Sequence, residues 1–312
     1  MKLVSFSTSA LPIPHLGIVR DDEVIDVDLA GRALQLSVPD QMLALIENYA
    51  LYKDALSTIL SKATNRRFSD VKTFTDVGAA HKLSEVQLAA PIPQPRKNVM
   101  CLAVNYREHA QETAVVRGHS GEIPQHPMFF TKAPTTINEP YGDIVIDPAV
   151  SSEIDWEVEL GVIIGKKGKN IRADDALSYV FGYTVLNDIT ARDLQTRHKQ
   201  FFKGKSLDGS CPIGPWIVTA DEVADPHNLA LKLRVNGETK QDSNTSLMIF
   251  SINQSIEVLS AGMTLEPGDI IATGTPSGVG FSRTPPEFLK PGDVVEAEVV
   301  GIGLIRNHVI GK

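Results

Sequence analysis

The chain has 312 residues, of which 42% are hydrophobic and 22% are charged. At roughly 100–200 residues per domain, this length predicts one large domain or two unequal ones. Such a chain can bury enough apolar surface to fold without disulfides or a structural metal. Acidic residues outnumber basic residues 38 to 30, so the net charge is −8, which argues against nucleic acid or an anionic membrane surface as partner.

The sequence contains no signal that predicts a membrane or secreted location. No apolar run reaches the ~18 residues that a membrane span needs. The first residues are interrupted by Ser, Pro and His, whereas a signal peptide has a continuous apolar stretch. The two cysteines, Cys101 and Cys211, are too few for a disulfide framework. Two cysteines fit a reducing cytoplasm without excluding another compartment, and we expect a cytoplasmic protein.

Residues 1–90 predict a small α/β domain. Strand-like pieces open the segment, and the pair Asp21-Asp22 forms the turn of a predicted hairpin. Apolar residues recur at spacings of three and four over 39–63, which predicts a helix that Asp40 caps. Three prolines within residues 91–95 exclude helix and predict an extended linker.

Residues 91–312 predict a second, larger domain that is mostly β. Short apolar runs alternate with glycine-rich and Pro-Gly-Asp turns, and Asn236-Gly237 predicts a hairpin. This pattern is typical of a closed or rolled β-structure with a few helices. The whole chain is therefore predicted to be α+β.

The first candidate site is a pair of glutamates on a predicted strand. Residues two apart on a strand share a face, so Glu157 and Glu159 project side by side from the apolar run DWEVELGVIIG. Like charges on a half-buried face need a neutralising cation, and hard divalent cations prefer oxygen ligands. Asp188 ends a later strand and offers a third carboxylate. The alternatives are a solvated strand face for the pair and a helix N-cap for Asp188.

The second candidate is a histidine–glutamate pair. On a helix, His109 and Glu112 lie at i and i+3 and share a face. A glutamate beside an imidazole orients it and raises its basicity, which suits a general base; the alternative is an ordinary surface helix. The polar segment 113–127 contains two glycines and predicts a lid over a site.

Further residues suit substrate binding. Arg192 and Gln195 lie four and seven residues after Asp188, so the three share one face of a predicted helix, where a guanidinium suits a carboxylate or carbonyl. Lys205, in a Gly- and Pro-rich loop, suits a developing enolate. Thr275 lies in the run ATGTPSGVG, which lacks the GK[ST] ending of a phosphate loop and suits a small carboxylate. For Arg192 and Lys205 the alternative is a solvated charge.

Taken in their order along the chain, these motifs make roughly residues 92–312 resemble members of the fumarylacetoacetate hydrolase family. The resemblance rests on NYxxHxxE, PxFFxK, DxExELGVIIGK, NDITARDLQ, KGKSLDGSCPIGP and GDIIATGTPSGVG. It implies a rolled, mixed β-structure (a distorted barrel), usually as a homodimer, with 1–90 as the small N-terminal domain of longer members. It also implies Mg²⁺ or Mn²⁺, with Ca²⁺ possible in crystals. The implied roles are metal binding by Glu157, Glu159 and Asp188, catalysis by His109, Glu112 and Lys205, and substrate contact by Arg192, Gln195 and Thr275.

The implied chemistry is a Lewis-acid cation acting on a small 2-oxo acid, with an enolate at C3. Because the His-x-x-Glu pair is complete, we expect hydrolysis of the C–C bond of an acylpyruvate to pyruvate and a carboxylic acid. The alternatives are a decarboxylase, isomerase or tautomerase of a dicarboxylate such as oxaloacetate or an aromatic-degradation intermediate, and a hydrolase of a sugar-derived diketo acid. A last alternative is a non-catalytic metal- or ligand-binding protein.

Overall fold

The computed structural model describes residues 1–9, 12–64, 74, 77–117 and 123–312. The described strands are β1 (Lys2–Ser7), β2 (His15–Arg20), β3 (Glu23–Asp26), β4 (Ala80–Lys82), β5 (Gln87–Ala89), β6 (Val99–Ala103), β7 (Met128–Lys132), β8 (Ile137–Asn138), β9 (Ile144–Ile146), β10 (Ile154–Asp155), β11 (Val158–Ile164), β12 (Val180–Asn187), β13 (Thr190–Ala191), β14 (Cys211–Thr219), β15 (Ala230–Val235), β16 (Glu238–Asn244), β17 (Ile270–Ala272), β18 (Val294–Val299) and β19 (Gly303–Gly311). The α-helices are α1 (Val27–Ala33), α2 (Met42–Glu47), α3 (Tyr49–Thr64), α4 (Arg107–Arg117), α5 (Arg192–Arg197), α6 (Phe202–Lys205) and α7 (Ile252–Ser260).

The strands form one large mixed sheet and two smaller ones. The large sheet has the order β4-β3-β2-β1-β14-β12-β11-β17-β6-β7, with β5 paired to β1 and β8 paired to β14. A five-stranded sheet has the order β16-β15-β18-β19-β9, and β10 pairs with β13. Among the described residues the first and last strands of each long sheet do not pair with each other, so both sheets are open. The structure is therefore strand-rich and mixed α/β. The predicted strand-rich mixture of helices and strands is confirmed, whereas the described sheets are open rather than closed into a barrel.

The N-terminal strands continue the sheet of the larger segment. β1 runs antiparallel to β14, with Leu3 opposite Ile217. Leu3 and Leu16 share one hydrophobic cluster with Ile213, Ile217 and Ile270. Residues 1–90 therefore bury their apolar faces partly against the rest of the chain, and the boundary at residue 90 stays a prediction.

Local predictions had mixed outcomes. Both hairpins are confirmed: β2–β3 turns at Asp21 and β15–β16 at Asn236-Gly237, with φ values of 52°, 53° and 79°. The single helix over 39–63 is wrong, because Asn48 has φ −127° and separates α2 from α3. The Asn48 side chain bonds the Ala44 carbonyl, which competes with helical bonding. The predicted cap is also wrong, since Gln41 rather than Asp40 precedes α2.

The centre of the large sheet is buried on both faces. Every residue of β11 and β12 is buried. Val158, Leu160 and Val162 belong to one hydrophobic cluster, and Ile163 belongs to the other. Glu159 alternates with the first set, so its carboxylate projects from the opposite face of the strand. Cys101 and Cys211 are free and buried, and within the described residues no helix is long and apolar enough to cross a membrane.

We expect Leu3→Ala to destabilise the whole chain. Leu3 is fully buried where β1 joins β14, and a Leu→Ala change at such a site costs about 2–5 kcal/mol. Urea unfolding monitored on the full chain measures the loss. Ser57→Ala, on the exposed face of α3, is the control and should stay within about 0.5 kcal/mol. A similarly small loss in Leu3→Ala would contradict the shared core.

Candidate active site

Three carboxylates converge where β11 begins and β12 ends. The two strands run antiparallel with Val158 opposite Asn187, and the Asp188 N–H donates to the Glu157 carbonyl at 2.9 Å. One carboxylate oxygen each from Glu157, Glu159 and Asp188 lie within 4.8 Å of one another. All three residues are at most 5% exposed. The structure thus gathers the predicted ligands into one buried acidic cluster, which can bind a divalent cation.

Lys205 connects two members of this cluster. Its Nζ lies 2.8 Å from Glu157 Oε2 and 2.7 Å from Asp188 Oδ2. Burial alone would lower the pKa of Lys205, but Asp188 and Glu157 raise it above its usual value, so the ammonium stays charged. Gly204 lets α6 approach this closely, since a Cβ there would lie 2.6 Å from the Gln195 nitrogen.

Glu157 and Glu159 have different electrostatic surroundings. Burial would raise the pKa of Glu157, but Lys205 and Arg192 hold it at about 2. Glu159 accepts the Gly274 N–H at 2.7 Å. Burial and the charges of Asp188 and Glu157 raise the pKa of Glu159 well above its usual range. Among the described residues no lysine or arginine forms an ion pair with Glu159, and the oxygen donors of the cluster fit a hard divalent cation.

Arg192 lies at the start of α5 and contacts the same cluster. Its Nη2 is 2.7 Å from Glu157 Oε1 and its Nε is 2.8 Å from Asp155 Oδ2. Nη1 donates to Gln195 Oε1 at 3.3 Å. The predicted N-cap alternative for Asp188 is wrong: α5 begins at Arg192 after Ala191. Asp188 precedes the helix, where its carboxylate accepts from two lysines.

The histidine–glutamate pair lies on α4 as predicted. His109 Nδ1 is 2.8 Å from Glu112 Oε1, and Glu112 Oε2 accepts the Gly278 N–H at 3.0 Å. With Nδ1 donating to Glu112, Nε2 carries the lone pair and is the basic nitrogen. Of the predicted lid over 113–127, residues 113–117 end α4 and residues 118–122 lie outside the described residues.

Several of these groups line one cavity of about 430 Å³, a volume that includes its opening to solvent, and Glu157 is the member of the acidic cluster that reaches it. His109, Lys205 and the three predicted substrate contacts Arg192, Gln195 and Thr275 all line it. The Thr275 hydroxyl donates to the Val158 carbonyl at 3.0 Å and accepts from Gln241 Nε2 at 2.8 Å. The complete lining consists of Leu102, Ala103, Val104, His109, Thr113, Phe130, Glu157, Arg192, Gln195, Phe201, Lys205, Thr275 and Phe281.

Sequence reasoning missed two buried charged residues. Lys132 is fully buried, and its Nζ donates to Asp188 Oδ1 at 2.7 Å, to the Ile189 carbonyl and to Ser210 Oγ. The sequence feature that could have indicated a buried lysine is its position at the end of the apolar strand MFFTK. Asp155 is fully buried and holds Arg192. Its signal was the sequence spacing of two that it shares with Glu157 and Glu159, although Asp155 lies in β10 and Glu159 in β11.

The family model for the fumarylacetoacetate (FAA) hydrolase C-terminal domain matches residues 98–310. The chain belongs to the fumarylacetoacetate hydrolase family. The family predicted from the motifs is confirmed, and proteins similar to this chain are named for different reactions on oxo acids.

Similar proteins are named for two such reactions. Oxaloacetate tautomerase YisK of Bacillus subtilis is 54% identical over 230 residues, which cover 73% of this chain and 75% of that protein. Mitochondrial oxaloacetate tautomerase Fahd2a of Rattus norvegicus is 40% identical over 99% of this chain and 92% of its own. A maleylpyruvate hydrolase structure from Sphingobium sp. SYK-6, in complex with manganese(II) and pyruvate, has a TM-score of 0.75 and 32% identity over 100% of this chain and 99% of its own.

We expect Glu159→Gln to separate cation binding from folding. Saturating Mn²⁺ should raise the melting temperature of the wild type, since a ligand at 100 times its Kd adds about 2.7 kcal/mol. The variant should lose most of that rise. Because the pKa of Glu159 is higher in the folded state than in the unfolded state, the cation-free protein loses stability as the pH rises from the unfolded-state pKa to the folded-state pKa. Glutamine mimics the protonated form, so the cation-free variant should melt at or above the wild-type temperature at neutral pH.

Differential scanning fluorimetry with and without Mn²⁺ measures both effects. Glu153→Gln is the matched control, because this neighbouring carboxylate lies outside the acidic cluster. It should keep the full Mn²⁺-dependent rise. An undiminished rise in Glu159→Gln would exclude Glu159 from the cation site.

Proposed function

We propose that the protein is a keto–enol tautomerase of a small 2-oxo dicarboxylic acid, with oxaloacetate as the candidate substrate. The observation that carries the proposal is that His109 and Lys205 face one cavity beside a buried acidic cluster. In this proposal His109 is the base that acts on C3 of the substrate, and Lys205 supplies a positive charge to the oxygen on C2. The complete His-x-x-Glu motif favoured hydrolysis of an acylpyruvate. Relatives at 54% and 40% identity, both named oxaloacetate tautomerases, fit its tautomerase alternative better.

Bound by Glu157, Glu159 and Asp188, Mg²⁺ or Mn²⁺ would supply a Lewis acid that binds a 2-oxo acid through its carboxylate and carbonyl oxygens. The choice between these two ions belongs to the proposal. Its support is the all-oxygen donor set and the manganese named in the Sphingobium structure.

His109 is proposed to move the proton at C3. Glu112 accepts from Nδ1 and so keeps the imidazole in the tautomer whose Nε2 is basic. Glu112 is itself held by the Gly278 N–H, which fixes the ring relative to the cavity. A positioned base of this kind contributes about 10²–10⁴-fold to the rate.

Lys205 and Arg192 are proposed to stabilise and orient the substrate oxygens. The Lys205 ammonium carries three protons, and Glu157 and Asp188 accept two of them. Its Nζ also lies 5.1 Å from the centre of the Phe130 ring, which lines the cavity. The remaining N–H of the ammonium is proposed to donate to the C2 oxygen of the substrate, where a fixed positive charge would stabilise the developing negative charge and lower the barrier. Arg192 and Gln195 offer further polar contacts to a carboxylate.

Hydrolysis of an acylpyruvate is the second candidate. Its support is the similarity to the maleylpyruvate hydrolase structure that holds manganese(II) and pyruvate. The same His109–Glu112 pair would then deprotonate a water molecule instead of C3. A homodimer and a cytoplasmic location stay predictions, and the rat relative is named as mitochondrial.

The deciding assay offers oxaloacetate and acylpyruvates to the purified protein with Mg²⁺ or Mn²⁺. We expect the ultraviolet absorbance of the oxaloacetate enol to reach equilibrium faster, with no pyruvate formed beyond the enzyme-free control. Chelator should abolish the acceleration. Release of pyruvate and a carboxylic acid from an acylpyruvate would establish the hydrolase, and release of CO₂ from oxaloacetate would establish a decarboxylase.

We expect His109→Gln to lower kcat for oxaloacetate about 10²–10⁴-fold, because the variant lacks the base at C3. The Mn²⁺-dependent rise in melting temperature should persist, since His109 is not one of the clustered carboxylates. His308→Gln, an exposed histidine on β19, is the control and should keep full activity. Unchanged kcat in His109→Gln would assign the proton transfer to another group.

A further inference from the structure

Asp155 is a fully buried carboxylate beside the acidic cluster but not part of it. Oδ1 accepts the N–H groups of Trp156 at 2.8 Å and Gly280 at 2.7 Å. Oδ2 accepts the Phe281 N–H at 3.0 Å and Arg192 Nε at 2.8 Å. A carboxylate has about four acceptor positions, so these donors use its capacity. Asp155 is therefore saturated by the protein, unlike Glu159.

Two of those donors belong to the segment 277–281, here called the site loop. At its other end the Gly278 N–H donates to Glu112 Oε2 at 3.0 Å, and Trp156 Nε1 donates to the Gly278 carbonyl at 3.2 Å. Gly278 has φ +99°, and a Cβ there would lie 2.1 Å from the Lys240 carbonyl oxygen. This conformation and close approach require glycine. They restrict the backbone of the site loop between its hydrogen bonds to Glu112 and to Asp155.

The fourth donor is Arg192, which lines the cavity. Its guanidinium is held by Asp155 at Nε and by Glu157 at Nη2. Its Cζ lies 4.4 Å from the centre of the Phe281 ring, at the end of the site loop. Glu157 also pairs with Lys205, whereas Asp155 pairs with Arg192 alone among the ion pairs of the described residues. Asp155 is thus the partner that fixes the direction of the guanidinium.

We infer that Asp155 is a positioning residue that aligns both halves of the site. It fixes Arg192 directly, and through the site loop it fixes Glu112 and with it His109. The substrate role of Arg192 and the base role of His109 rest on the proposed function. The attachment of the site loop to Asp155 is independent of that function.

Asp155→Asn tests this inference with little change in shape. If the asparagine oxygen faces Trp156 and Gly280, those two bonds persist. The amide NH₂ then faces two donors, the Phe281 N–H and Arg192 Nε, so these two contacts are lost. Asp193→Asn is the matched control, because Asp193 is adjacent to Arg192 in sequence but bonds Leu194 N and Ser151 Oγ instead.

Amide hydrogen exchange of the folded, full-length protein gives a readout that needs no turnover. In Asp155→Asn, the peptide covering 277–281 should exchange at least about tenfold faster than in the wild type, because local opening controls exchange. Asp193→Asn should match the wild type in this peptide. Equal protection of the site loop in Asp155→Asn and wild type would overturn the inference, whatever substrate the enzyme uses.

A double-mutant cycle tests the link to Arg192. If Asp155 acts through Arg192, the loss of kcat/KM in Asp155→Asn/Arg192→Lys should be at least about fivefold smaller than the product of the two single losses. If the loss of kcat/KM in the double variant equals the product of the two single losses, Asp155 does not act through Arg192. If wild-type protein does not accelerate oxaloacetate tautomerisation, the proposed function fails, and pyruvate affinity in the presence of Mn²⁺ replaces kcat/KM in the same cycle. The hydrogen-exchange measurement and the double-mutant cycle therefore test the role of Asp155 independently of which substrate the enzyme uses.

Discussion

The structure depends on the burial of charge where β11 begins and β12 ends. Four carboxylates, Asp155, Glu157, Glu159 and Asp188, are buried there with the cations Lys132, Arg192 and Lys205. Buried ion pairs seldom repay the cost of removing both charges from water. The apolar core around the two strands must offset that cost. The excess of one carboxylate over the cations makes the site attractive to a further positive ion.

The same arrangement explains why several elements have their particular positions. Asp188 is held by Lys132 from β7 and Lys205 from α6, and Glu159 is held by the backbone after β17. Each charged side chain has partners from at least one other part of the chain. A shift in one element would leave a buried charge unpaired, at a cost of several kcal/mol. The polar site therefore specifies how the surrounding strands pack.

The sequence predicted the residue types of the site better than their local structure. The i, i+3 spacing of His109 and Glu112 is a local signal, and this pair is arranged as expected. The spacing of two between Glu157 and Glu159 is also local; the two carboxylates lie together as expected, although Glu157 directly precedes β11 rather than lying in it. Asp188 does not lie on the helix of Arg192 as predicted, because that helix begins at Arg192; both side chains instead lie beside Glu157. Their convergence depends on β-pairing between distant segments, which periodicity does not encode.

The residues that were missed follow the same rule. Lys132 and Asp155 make their contacts across 56 and 37 positions of sequence. Within its own segment a buried lysine looks like a surface lysine, because only its tertiary partners distinguish the two. The break between α2 and α3 was missed for a different reason, since a single asparagine side chain bonding the preceding turn overrode the apolar periodicity.

The parallel pairing of β6 with β17 has a consequence for how the protein folds. It places Met100 beside Ile271, which are separated by more than half of the chain. Closing so large a loop costs entropy before any contact compensates for it, and folds rich in such contacts form slowly. His109 follows β6 and Thr275 follows β17, so the two sides of the cavity meet only after this late closure. Until β6 and β17 pair, each of these apolar strands has an unpaired edge, and unpaired strand edges promote aggregation during folding.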